Sequence, residues 1–345
     1  MKNKKIFSIS FIVLISLLFI GCSNTKGILK KEESSLVDDD AIHLQIAHVE
    51  PESRSTHRAL LHFKESIEKN SDGKIAVDIY PNGSLGGDVQ LTESTALGTL
   101  DIALPSTSVL TTYSEEFGLL DMPYLFNSSE SAFNALDGDV GEYFNKILEK
   151  QGLVCLGYSY NGPRSTTSNV KPISKPEDLK GLKMRVMESP IFIDYYKTLG
   201  ANPTPMSFTE LYTGLQQGAV DAQENPPSLT FANKFFEVQK YSSIDEHVHN
   251  FLGVIINKDK FDQFSEANKE LIRKEIDKFI KEQRKLELED NAKAIEDLEV
   301  IGNLKTNFLN KEQKEKFREA LEPMYQKYSK IFGPELFDMC EKYNN

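Results

Sequence analysis

Two arginines and one asparagine have the chemistry and the setting to hold a small organic anion. They are Arg164 in NGPRSTTSNV, Arg185 in GLKMRVMES and Asn225 in the turn AQENPP. A guanidinium is a planar fork that meets a carboxylate through two parallel hydrogen bonds. An amide adds a donor, and Pro226 and Pro227 restrict the turn that carries it. Each residue also has a structural reading: a strand salt bridge for Arg185, a salt bridge at a crossover for Arg164, a turn asparagine for Asn225.

The elements that must position them follow a strand–helix alternation. Residues 42–49, 74–80, 101–104 and 153–158 read as strands. Residues 54–70, 89–97 and 131–150 read as helices, the first with Leu60, Phe63 and Ile67 on one face. This order indicates an α/β domain with a mainly parallel sheet. A second unit begins near Gly162, with strands at 165–170 and 183–186 and a helix at 190–199 stopped by Gly200. Ser207 and Glu210 have capping-box spacing ahead of Leu211, Tyr212 and Leu215. A charged helical pattern of about thirty residues covers 265–295, and more helix covers 311–343. No short internal repeat is present.

The N-terminus carries Lys2, Lys4 and Lys5 ahead of the apolar run 6–20. As a helix that run spans about 22 Å, short of a bilayer core of about 30 Å. It reads as the core of a signal peptide over 1–21. Leu18-Phe19-Ile20-Gly21-Cys22 resembles a lipobox, so Cys22 is the expected lipid anchor and 22–40 a solvated tether. The whole chain has a formal charge of −12, and losing the three leader lysines takes it to −15. That balance excludes a phosphate-binding surface for nucleic acid, while a local arginine pair still reverses the field within a cleft. Cys155, in an apolar strand, and Cys340, in a C-terminal helix, read as two separate buried thiols, with a disulfide as the alternative.

Several blocks, in order, resemble the DctP-type solute-binding subunits of tripartite ATP-independent periplasmic (TRAP) transporters. They are YPNGSLGG at 80–87, GTLDIALPSTSVL at 98–110, and the stretch from Gly181 to Pro226. The resemblance covers nearly the whole mature chain. It implies an α/β, two-lobed periplasmic-binding-protein-like fold with a hinge, an interlobe cleft and a long helix spanning both lobes. Lobe I would be 41–161 with about 251–290, and lobe II 162–250 with about 291–345. The resemblance implies that Arg185, Arg164 and Asn225 hold the ligand carboxylate and that Phe208 lines the cleft; a core anchor for its helix is the alternative for Phe208. Asp88, Ser106 and Glu188 match positions near the ligand in some relatives, and His48 ends a strand that approaches the cleft. Carboxylates beside a bound anion suit a ligand with hydroxyls, which donate to them. A sugar acid such as a uronate is therefore expected ahead of a C4-dicarboxylate. Glu188 departs from relatives with a neutral amide there, which bars direct transfer of any one relative's substrate.

The expected partners are a small carboxylate, the TRAP membrane subunits and, through the anchor, the outer face of the cell membrane. A monomer without cofactor is expected. His247 and His249 would share a strand face, as a metal pair does, but no cysteine or third histidine lies nearby in sequence, and no metal is expected. Phosphate loop, GxSxG, HExxH and CxxC motifs are absent from the sequence. The rival readings are an extracytoplasmic enzyme on an acidic sugar, with Glu188, Glu224 and Asp88 as acid–base groups, and a ligand sensor that docks to a membrane receptor.

Overall fold

Two long antiparallel strands, β4 (Leu153–Ser168) and β8 (Tyr241–Asn257), run through the middle of the molecule and join its two halves. The computed structural model describes residues 41–344; the signal segment, the tether and Cys22 lie outside the described residues. At about 3.3 Å per residue, β4 with its 16 residues is roughly 50 Å long. The sequence predicts two separate strands at 153–158 and 165–170. Asn161-Gly162-Pro163 looks like a break, yet β4 continues through it because irregularities absorb the misfit: the pairing with β8 shifts register between Cys155 and Tyr158, between Tyr160 and Gly162, and between Arg164 and Thr166.

Among the described residues nine strands form one sheet, ordered β2-β1-β3-β8-β4-β7-β5-β6 with β9 beside β8. One lobe is centred on β1 (Ile42–Ala47), β2 (Ile75–Tyr80) and β3 (Ile102–Ala103), where β1 pairs in parallel with both neighbours. It carries α1 (Ser55–Asn70), α2 (Asp88–Ala96), α3 (Ser129–Asp137) and α4 (Asp139–Lys150). The other is centred on β5 (Lys183–Val186), β6 (Asn202–Pro205) and β7 (Ala222–Asn225), again parallel, with α5 (Pro190–Thr198), α6 (Phe208–Gln216) and α7 (Pro227–Ala232). The sheet is mixed rather than mainly parallel, since β3–β8, β4–β7 and β4–β8 are antiparallel. The single helix expected over 131–150 is two, because Gly138 leaves helical backbone (φ −105°, ψ −147°). Ser207 does not cap α6 through its side chain; its hydroxyl bonds that of Thr209 at 3.1 Å instead.

After β8 come α8 (Lys258–Gln263), α9 (Glu266–Val300), β9 (Lys305–Phe308), and α10 (Lys311–Ala320), α11 (Glu322–Phe332) and α12 (Pro334–Glu341). The 35-residue α9 is the long helix that both lobes share. Its buried residues start with Ile272, Ile276, Phe279 and Ile280 around one carboxylate, Glu275, turn polar at Gln283, Arg284, Glu287 and Asn291, and end apolar at Ala294 and Leu298. The apolar start packs with Leu44, Leu60, Phe63 and Ile256 in one core. The polar middle lies against the crossover of β4: Gln283 accepts from the Tyr160 N–H and donates to its carbonyl, both at 2.8 Å. A larger core runs from Phe144 and Tyr160 through Met184 and Phe192 to Leu321 and Leu336, and it includes Cys155 and Cys340. Both thiols are buried and free.

Candidate ligand-binding site

The parallel strands β5 and β7 end at the same place, and the carboxyl ends of such strands are where open α/β sheets gather ligand-binding groups. Arg185 lies in β5 between Met184 and Val186, both fully buried. Period-2 alternation sends its side chain to the opposite face. The guanidinium is itself buried, with Nε donating to the Met206 carbonyl at 2.9 Å. Its Nη1 is shut off from solvent and meets no acceptor among the described residues. Burial pushes the Arg185 pKa down to about 10; Glu224 opposes the shift and the neighbouring Arg164 adds to it. A buried cation with an open donor is set to receive an anion.

Arg164 is placed differently. It sits between two of the β4 irregularities, which re-aim side chains. Its Nε and Nη2 close on the Glu224 carboxylate, and Nη2 also donates to Asn225 Oδ1 at 2.9 Å. Nη1 has only a long contact of 3.5 Å to Asn250 Oδ1. Asn225 is likewise engaged, its Nδ2 donating to Gln223 Oε1 at 2.5 Å. Behind Glu224 stands His247, 3.4 Å away, and behind His247 stands Asp245 at 3.1 Å. Burial works against charging His247, but Asp245 and Glu224 outweigh it and raise its pKa to about 9. Burial alone would raise Glu224; Arg164 and His247 hold it below the usual carboxylate range. The result is a buried chain of alternating charge, Asp245–His247–Glu224–Arg164. His247 and His249 do not form a pair: the His249 ring bonds the Tyr160 hydroxyl at 2.6 Å.

On the other lobe, Asp88 lies near Arg185 and Glu188, and Ser106 bonds Asn250, the long contact of Arg164, whereas His48 is placed against His57. Asp88 opens α2; Oδ1 is closed off from solvent and has no donor, while the rest of the residue is partly exposed. Burial and Glu188 push Asp88 up to about 7, against the Ser106 backbone N–H and Arg185. Ser106 shares hydrogen bonds of 3.2 Å with Ser108 and Asn250. His48 is fully buried, 3.2 Å from His57, and burial lowers its pKa to about 4, so it is neutral. Glu188 and Phe208 are half-buried, and Phe208 packs edge-on against Phe235 at 6.0 Å. Phe208 thus serves the α6 core while keeping a partly open face.

The two lobes touch at the YPNGSLGG block. A Cβ on Gly87 would stand 2.5 Å from Ser207 Oγ, and one on Gly83 would stand 2.7 Å from Thr209 Cγ2. Asp121 adds a second bridge, accepting from Ser108 at 2.6 Å and from Ser189 at 2.7 Å. Sequence reading missed Asp121, and it missed the buried set around Arg54. Arg54 donates to Glu50 (2.9 Å), Glu287 (3.0 Å), Ser228 (2.5 Å) and the Asn161 carbonyl (3.0 Å). These groups come from the segment after β1, α9, α7 and the β4 crossover. The signal is faint: Glu287 is one of many carboxylates in a helix whose pattern reads as charged.

Residues 46–331 match the bacterial extracellular solute-binding protein family 7, DctP. The chain belongs to this family, the TRAP transporter solute-binding proteins of DctP type. It is similar to the 2,3-diketo-L-gulonate-binding periplasmic protein YiaO of Escherichia coli, 36% identical over 75% of this chain and 79% of that protein. It is also similar to the C4-dicarboxylate-binding protein DctB of Bacillus subtilis, 31% identical over 92% of each. Among solved structures, the sugar acid binding protein DctPAm of Advenella mimigardefordensis, in complex with galactonate, superposes with a TM-score of 0.85. It is 34% identical and is matched over 89% of this chain and 100% of its own. No helix among the described residues is long and apolar enough to cross a membrane.

Proposed function

We propose that this protein captures a hydroxylated sugar acid, such as a uronate, and delivers it to TRAP membrane subunits that use an ion gradient. C4-dicarboxylates are the second ligand class. The observation that carries this reading is the buried, unpartnered Nη1 of Arg185. The ligand carboxylate rests on Arg185, flanked by Arg164 Nη1 and Asn225. Asp88 and Glu188 accept ligand hydroxyls and repel a second carboxylate. Ser106, His48 and Phe208 complete the lining. The sugar-acid ligands named for YiaO and DctPAm support the order, and DctB supports the second class.

The lobes divide as 41–161 with about 251–290, and 162–250 with about 291–345, and the ligand closes the cleft between them. The ligand is bound and released without reaction. Cys22 carries a diacylglycerol anchor outside the membrane, which lipid labelling of wild type and Cys22→Ser checks. A thermal-shift screen tests the ligand, because a ligand that binds only the native state raises the melting temperature. Glucuronate, galacturonate or gluconate is expected to stabilise most. Stabilisation by succinate or malate alone reverses the order, and mass analysis that finds the acid chemically altered revives the enzyme reading.

A further inference from the structure

Asp88 holds an atom that the hydrogen-bond network leaves open. Its Oδ1 is sealed from solvent and has no donor among the described residues. An unpaired buried carboxylate oxygen is costly, and two arrangements relieve the cost. Ionised, Asp88 accepts a hydrogen bond from a ligand hydroxyl. Protonated, it donates one to a ligand carboxylate. The charged groups that face it are Glu188 and Arg185 from the end of β5 and Glu50 from the segment after β1, with the Ser106 N–H from the segment after β3.

Resting on the reading of Arg185 as the carboxylate anchor, we propose that Asp88 is the specificity-determining residue of the site. In its ionised form it selects ligands that present a hydroxyl opposite the anchored carboxylate. In its protonated form it admits a second carboxylate there. A dicarboxylate then binds together with one proton, taken from solvent onto Asp88. Burial and Glu188 bring Asp88 to about 7, so both forms are populated near neutral pH. Glu188 sharpens the choice, since a ligand dianion meets two carboxylates when Asp88 is ionised.

The test measures affinities of wild type and Asp88→Asn at pH 6 and pH 8 for two probes. One is the tightest binder from a panel of aldonates and uronates. The other is fumarate, a dianion at both pH values. In wild type the affinity for the hydroxylated acid is expected to rise, and that for fumarate to fall, each by up to about ten-fold from pH 6 to pH 8, so the preference rises by up to about a hundred-fold. Calorimetry in buffers of different ionisation enthalpy is expected to show proton uptake with fumarate at pH 8. Asp88→Asn is expected to bind fumarate equally at both pH values and to bind the hydroxylated acid less tightly at pH 8. A wild-type preference that is constant with pH, or a slope that survives in Asp88→Asn, overturns the proposal. The proton-uptake readout uses wild type alone and stands whether or not the variant folds; uptake of no proton also overturns the proposal. If Arg185→Ala leaves both affinities unchanged, the carboxylate-anchor reading itself fails, and the role of Asp88 falls with it.

Discussion

Arg164 and Glu224 are each fully buried, and the Arg164 fork is closed on Glu224 rather than open toward a ligand. Arg185, close enough to feel both charges, keeps its Nη1 free. The two arginines are therefore placed for different work: Arg164 is tied into a buried ion pair, and Arg185 keeps the donor on which the proposed carboxylate would rest.

Substitution separates these roles. Arg164→Ala leaves the buried Glu224 carboxylate with only His247, which Asp245 shares, to offset its charge, and breaking a buried pair costs about 3–5 kcal/mol of stability. A lowered melting temperature without ligand is the expected result. Arg185→Ala has no internal ion pair to break, so it is expected to melt within a few degrees of wild type and to lose affinity. The loss expected for one member of a buried charge pair is about 2–5 kcal/mol, or roughly thirty- to several-thousand-fold. Arg185→Lys keeps the charge without the fork and is expected to bind poorly as well. Calorimetry showing Arg185→Lys within about threefold of wild type would sink the fork mechanism.

Gly87 tests closure. Its backbone (φ −79°, ψ 176°) suits any residue, so Gly87→Ala carries no intrinsic strain. The added methyl nevertheless lies 2.5 Å from Ser207 Oγ on the other lobe. Overpacking of that kind costs about 1–3 kcal/mol; the Ser207 part falls only where the lobes touch, while Gln90 Oε1, 3.0 Å away in α2, adds a smaller clash independent of closure. The expected outcome is an affinity loss of about five- to over a hundred-fold with a nearly unchanged ligand-free melting temperature. Ser207→Gly in the same chain is expected to restore binding. Failure of that second substitution to restore it would place the obstruction elsewhere.

What the sequence revealed follows from how far each signal reaches. Arg185, β5 and the long helix α9 were legible because local periodicity fixes a strand or helix and the face a residue takes. The continuity of β4 through Asn161-Gly162-Pro163 was not legible. It depends on pairing with β8, some ninety residues away, where Gly162 at φ 122° lies close against Pro226 and Glu287. Glu224 stood out only as one carboxylate in a polar turn, and its bond to Arg164 closes over 60 residues. Apart from Glu50, four residues away, the Arg54 set draws on partners 107 to 233 residues distant. Charged residues at such separations look like a solvated surface until the fold brings them together.

His247 makes stability depend on alkaline pH. Its folded pKa of about 9 lies above the ordinary value of about 6.5. The imidazolium thus stabilises the fold fully below pH ~6.5, and the contribution is lost as pH rises through about 9. The full term is on the order of 3 kcal/mol. Thermal melts from pH 6 to 10 are expected to fall more steeply for wild type than for His247→Gln. Parallel curves would mean that His247 is neutral in the fold.

Arg54 and Glu287 give the opposite pair of substitutions. Arg54 is one cation between two buried carboxylates, Glu50 and Glu287, so charge balance leaves one carboxylate in excess. Burial, with Glu50 nearby, raises Glu287 to about 7 despite Arg54. A raised carboxyl favours its protonated form in the fold. The associated stability is present below the unfolded value of about 4.3 and is lost as pH rises through about 7. Glu287→Gln keeps the shape and removes the charge that neutral pH imposes. Its stability relative to wild type is expected to improve by roughly 2 kcal/mol between pH 5 and pH 8. Arg54→Met removes the cation that both carboxylates share and is expected to cost about 3–5 kcal/mol at pH 8. That cost should shrink at pH 5 as Glu287 takes up its proton. Denaturant titrations of both variants at the two pH values decide it. A Glu287→Gln difference that stays constant with pH would show that Glu287 is already ionised at pH 5, with Arg54 neutralising it fully.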